Sequence, residues 1–168
     1  VQTTLPNPCV NLVVEPERSR AFGVMTGSFH RTLAGKGLVF GVKFRPGGFY
    51  PFFGRPLSGL VNSSVGLDEV FGPPGAALER ALLSLSGDRE MVAAAEAFLR
   101  SRLPGRDENV LFIDSIVERI ASDPSIRKVR DLASAFGRSE RTLQRLFRKY
   151  VGVGPRWVIA RYRLQEAA

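Results

Sequence analysis

Histidine and cysteine are almost missing from this 168-residue chain, which holds one of each, His30 and Cys9. A lone cysteine closes no intramolecular disulfide, and one His beside one Cys supplies neither the ligand set of a common zinc site nor a Cys-His or Ser-His nucleophile pair. No catalytic residue, metal or cofactor is therefore expected, and an enzyme is the disfavoured class. His30 reads as an ordinary strand or surface residue. Long apolar runs are missing too. No uncharged stretch reaches the roughly 18 apolar residues of a membrane span, and the one between Arg55 and Asp68 is broken by Ser58, Asn62, Ser63 and Ser64. A membrane partner is excluded on this reading. No basic-then-apolar leader opens the sequence, so a reducing, cytoplasmic compartment is expected.

Acidic residues are scarce in one place only. Residues 1–125 carry 13 basic and 13 acidic side chains, whereas residues 126–168 carry 11 and 3. The whole net charge of +8 thus sits in the last 43 residues, the mark of an anion-binding module on a neutral body. Gly and Pro are skewed the other way: 12 of 17 Gly and 8 of 11 Pro fall in residues 1–75, a density that forbids long helices. Strands are predicted at Val10–Val14, Phe22–Phe29 and Leu38–Phe44, together a small antiparallel sheet. The Gly47-Gly48 pair is read as a hairpin turn, with Lys43 and Arg45 as a weaker site for an anionic effector. Phe40, Phe44, Phe49, Phe52 and Phe53 are assigned to core. Beyond Pro73-Pro74 the apolar spacing becomes helical, through Leu78, Leu82 and Leu85 and then Met91, Ala95, Phe98 and Leu99. Asp88 is the expected N-cap of the second helix. Pro104-Gly105 marks the expected boundary between a β-rich sensor or dimerisation domain, 1–105, and a helical domain, 106–168. The fold class is α+β.

In the second domain, Val110, Ile113, Ile116, Val117 and Ile120 make the apolar stripe of a scaffold helix that Asp123-Pro124 ends. Val129–Phe136 is a two-turn helix closed by Gly137, whose freedom at positive φ suits a tight turn. Ser139 then caps a helix reaching Tyr150, with Leu143, Leu146, Phe147 and Tyr150 inward. Two short helices across a glycine turn form a helix-turn-helix. Opposite its apolar stripe the second helix carries Arg141, Gln144, Arg145 and Arg148. The side chains nearest its N-terminus reach base edges in a groove-docked helix, where Arg suits guanine and Gln suits adenine. Arg141, Gln144 and Arg145 are the expected base readers of double-stranded DNA. Lys128, Arg138, Arg148, Lys149 and the cap at Ser139 are expected at phosphates. The last helix, opened by Pro155 after Gly152 and Gly154, is expected to pack back through Trp157, Ala160, Tyr162 and Leu164.

These residues resemble the AraC family of bacterial transcription regulators over about Asn109–Ala168. The likeness is carried by Ala133 to Gly137, by Ser139-Glu-Arg-Thr-Leu-Gln-Arg-Leu-Phe147, by Gly152-Val-Gly-Pro155 and by Trp157-Val-Ile-Ala-Arg-Tyr-Arg-Leu-Gln-Glu-Ala167. The resemblance implies that Gln144, Arg145 and Arg141 stand at the DNA and that Leu143 and Phe147 stand in the core. AraC-like regions carry two helix-turn-helix units, and this sequence reaches only the first and its connecting helix. A piece of a longer regulator, or a half-module, is therefore expected, with affinity near the non-specific range of about 10⁻⁴ to 10⁻⁶ M. The front part more weakly resembles the cupin-like β-barrels that precede such modules, through Asn11-Leu-Val-Val-Glu-Pro16, Gly41 to Gly48 and Phe49-Tyr-Pro-Phe-Phe53. It is expected to sense a small-molecule effector or to pair subunits as a homodimer. The competing class is a protein-interaction or decoy module that keeps the helical fold without binding DNA.

Overall fold

Frequent Pro and Gly cut the front part into short strands. The computed structural model describes residues 2–4, 6–16, 18–27, 29–31 and 37–166; Ala167, which ends the quoted motif, and Ala168 lie outside them. The strands are β1 (Gln2–Thr4), β2 (Asn11–Val14), β3 (Arg20–Phe22), β4 (Phe29–Arg31), β5 (Phe40–Lys43) and β6 (Ser64–Gly66). β1 pairs antiparallel with β4, and an antiparallel sheet runs in the order β5-β2-β3-β6. Within it Leu12 lies opposite both Ala21 and Val42. Leu12 and Val14 are fully buried while Asn11 and Val13 are half-exposed, the alternation of a sheet covered on one face.

Helices follow: α1 (Tyr50–Phe53), a 3-10 turn (Leu57–Leu60), α2 (Leu67–Phe71), α3 (Pro73–Ser84), α4 (Asp88–Ser101), α5 (Glu108–Ser122), α6 (Val129–Phe136), α7 (Glu140–Tyr150) and α8 (Pro155–Glu166). The class is α+β. Among the described residues no helix is long and apolar enough to cross a membrane.

Four local expectations need correction. Phe22–Phe29 is not one strand, because beyond β3 the chain leaves the sheet. The Gly23 amide donates to the Ser63 carbonyl and the Val24 carbonyl accepts from Asn62, which turns Val24 toward the helical core. A Cβ on Gly23 would lie 2.0 Å from the Leu60 carbonyl oxygen, so only glycine fits this bend. Gly47-Gly48 makes no hairpin but a strand-to-helix turn into α1, with Gly47 at φ +80° and the Gly48 amide bonded to the Arg45 carbonyl. Gly87, not Asp88, occupies the N-cap of α4; Asp88 and Glu90 lie in the first turn, where their charge meets the helix's positive end. On α8, Val158, Ile159 and Arg161 turn inward, whereas Ala160 and Leu164 are exposed.

Two apolar clusters hold these elements. One gathers Leu12, Val14, Phe49, Leu78, Leu82 and Met91 between the sheet and α3 and α4, with Phe44 buried and Phe40, Phe52 and Phe53 packed against it. The five phenylalanines thus serve the core, as read. The other gathers Ile113, Ile116 and Ile120 of α5 with Leu132, Leu143 and Phe147 of the following helices. Val24 belongs to this second cluster, and Tyr50 and Val61 lean on it, so the front part and the helices share a seam.

Candidate nucleic-acid interface

Local chemistry shapes the α6-turn-α7 unit. The Asp107 carboxylate caps α5 by accepting from the Asn109 amide at 2.9 Å. Asp131, on the first turn of α6, reaches back to accept from the Arg127 and Lys128 amides at 3.0 and 2.8 Å. Those two bonds hold its carboxyl below the usual carboxylate range. α6 stops at Gly137, which takes the left-handed conformation at φ +59°. Ser139 caps α7, its Oγ accepting from the Thr142 amide at 3.2 Å. Leu143 and Phe147 are then fully buried, each worth about 1.5 to 3 kcal/mol of transfer free energy.

At about 100° per residue, Arg141, Arg145 and Arg148 fall within about 60° of one another on α7, away from that apolar stripe. All three are exposed, as is Gln144. None of the three arginines makes a hydrogen bond, ion pair or ring contact with a described residue. Like charges three and four residues apart on a helix cost a few tenths of a kcal/mol each, so this row opposes folding slightly unless an anion meets it.

The row borders an open cleft of about 650 Å³. One side of the cleft is α7, through Arg141, Gln144, Arg145, Arg148 and Lys149 with Thr142; the other is Pro56 and Ser58 of the front part. A close seam brings the two sides together. The Tyr50 and Tyr150 rings lie 4.2 Å apart, and the Lys149 ammonium stands 5.1 and 5.3 Å from their centroids. Tyr50 and the phenolic dipoles hold the Lys149 ammonium above its ordinary pKa. The Tyr150 hydroxyl donates to Asp107 at 2.9 Å and accepts from Asn109 at 3.1 Å; burial, then that bond to Asp107, pushes the phenol up. Gly152 sits at φ +101°, where a Cβ would lie 2.9 Å from the Leu57 carbonyl oxygen. Arg45 pairs with Asp114 of α5 at 2.9 Å, which ties up one cation of the suggested effector site.

Of the residues singled out in the sequence, Arg141, Gln144, Arg145, Arg148 and Lys149 share this cleft, while Lys128, Arg138 and Ser139 do not line it. Lys128 is exposed at the head of α6. Arg138 lies 5.7 Å from the Phe112 ring centroid, and the Ser139 hydroxyl is engaged in the cap, 2.9 Å from that of Thr142. Pro56 and Ser58 were not foreseen as a facing wall. No short-range signal marks them, because their neighbours on α7 arrive from far along the chain. Among the described residues no group of three or more His, Cys, Asp or Glu could hold a metal. Cys9 is free and buried, which raises its thiol pKa.

Residues 1–66 match the family model described as Domain of unknown function (DUF6597), an N-terminal domain often found in AraC-type regulators. No curated protein and no solved structure matches the chain.

Proposed function

We propose that this chain is a DNA-binding transcription regulator of AraC type, in which α7 docks in the major groove of a duplex. The observation that carries the reading is the row Arg141, Arg145 and Arg148, without a partner among the described residues and exposed on the second helix of a capped helix-turn-helix. A side chain without an intramolecular partner keeps its donors for a ligand, and a guanidinium offers guanine O6 and N7 a two-pronged match. Arg141, Gln144 and Arg145 read bases. Arg148 and Lys149, nearer the helix end, neutralise phosphates, and Lys128 and Arg138 add charge at the flanks. The neutral front part binds a small-molecule effector or pairs subunits. Such an effector changes DNA affinity only by the difference between its affinities for the two arrangements of the chain. The front-domain match supports the same regulator class.

Selection from a randomised duplex pool, followed by titration across salt, tests the reading. Arg145→Ala is expected to cost about 1 to 3 kcal/mol on the selected site and to relax preference at one base position. Arg148→Ala is expected to weaken all sequences alike and to flatten the salt slope by about 0.9. A chain whose duplex affinity ignores salt is not this regulator; affinity flat with salt for a protein partner would instead favour the interaction-module class.

A further inference from the structure

A helix lying in a major groove has a phosphate strand along each flank. On one flank of α7 the chain's own front part already stands close: Lys149 lies over Tyr50, and Gly152 meets the Leu57 carbonyl. A strand on that side has to run between the arginine ridge and the exposed wall of Pro56 and Ser58, and the space there is an open cleft of about 650 Å³. The cleft's lining includes four cations, Arg141, Arg145, Arg148 and Lys149, and no carboxylate. Of these four, Arg148 and Lys149 are the phosphate contacts of the reading above, and Arg141 and Arg145 lie nearer the start of the helix, past the strand, where base edges are reached.

We propose that this cleft seats a phosphate strand of duplex DNA and that Ser58 forms its far wall, so the front part grips the duplex together with α7. The proposal rests on the docking of α7 argued above. It adds a contact from outside the helix-turn-helix: the exposed Ser58 hydroxyl donates to a phosphate oxygen opposite Arg148. Arg55, in the same loop, is held by Glu69 at 2.5 Å and keeps that carboxylate occupied.

Ser58 is exposed, so charge can be placed there without disturbing a core. Binding of the full chain to a labelled duplex is measured by anisotropy across a salt series for Ser58→Arg, Ser58→Glu and Arg145→Ala, with thermal melts as the folding control. One added phosphate contact steepens the salt slope by about 0.9, which at 0.1 M salt amounts to about eightfold tighter binding for Ser58→Arg. Ser58→Glu is expected to weaken binding by a similar factor and to flatten the slope. Unchanged affinity and slope in both variants, while Arg145→Ala still weakens binding, overturns the proposal and leaves the reading of α7 standing. Tighter binding by Ser58→Glu also overturns it, because the wall then obstructs the duplex rather than holding it. Absence of duplex binding by the unsubstituted chain removes the reading of α7 itself.

Discussion

Two glycines show how differently one residue type can matter. Gly137 is at φ +59° with open space where a Cβ would stand, so Gly137→Ala meets only the left-handed backbone penalty, about 1 kcal/mol. Gly152 is at φ +101° and would also press a Cβ against the Leu57 carbonyl and the Val61 side chain. Gly152→Ala is therefore expected to destabilise clearly more than Gly137→Ala, as equilibrium denaturant unfolding of the two variants would reveal. The turn at Gly137 was legible in the sequence, because a glycine between two short amphipathic stretches has few other uses. The demand on Gly152 was legible only as a helix break, since the carbonyl that forbids a side chain comes from a distant segment.

Single elements were legible in proportion to their periodicity. The stripes of α5 and α7 are regular, and Ile113, Ile116, Ile120, Leu143 and Phe147 all end fully buried. α8 is less amphipathic: Arg161 is only 5 % exposed although charged, donating to the Pro6 carbonyl, while Leu164 is 61 % exposed although apolar. Hydrophobicity alone therefore picked the wrong face. The same limit applies to β3, whose departure from the sheet is set by Leu60 and Ser63 rather than by its own residues. The start of α6 gives a pH test. Asp131 is held ionised by two backbone amides, so its folded pKa lies below its unfolded one. Its contribution is present above the ordinary carboxylate range, near pH 4, and fades as pH falls through the lowered value. Asp131→Asn should melt lower than the parent chain at neutral pH, and the gap should close on acidification toward pH 2, as thermal melts along a pH series would record.

For the whole molecule, the charge partition was the clearest sequence signal, and the seam between front part and helices was hidden. Nothing in either segment's own pattern pairs Tyr50 with Tyr150 or brings Ser58 beside α7. Tyr50→Ala removes a ring pair worth about 0.5 to 1.5 kcal/mol and a cation–π contact worth about 0.5 to 1 kcal/mol. A lower melting temperature is expected, together with faster protease cleavage near Gly54 as the α1 segment loosens; an unchanged melt and cleavage pattern would mean that the seam contributes little. Arg161 and Gln165 of α8 bond to Pro6 and Asn7, contacts that bridge 155 and 158 positions of chain. During synthesis the α6-turn-α7 unit, local in sequence, can close as soon as it emerges. The docking of α8 on Pro6 and Asn7 instead has to close a loop of 155 residues or more, an entropic cost that the local unit does not carry.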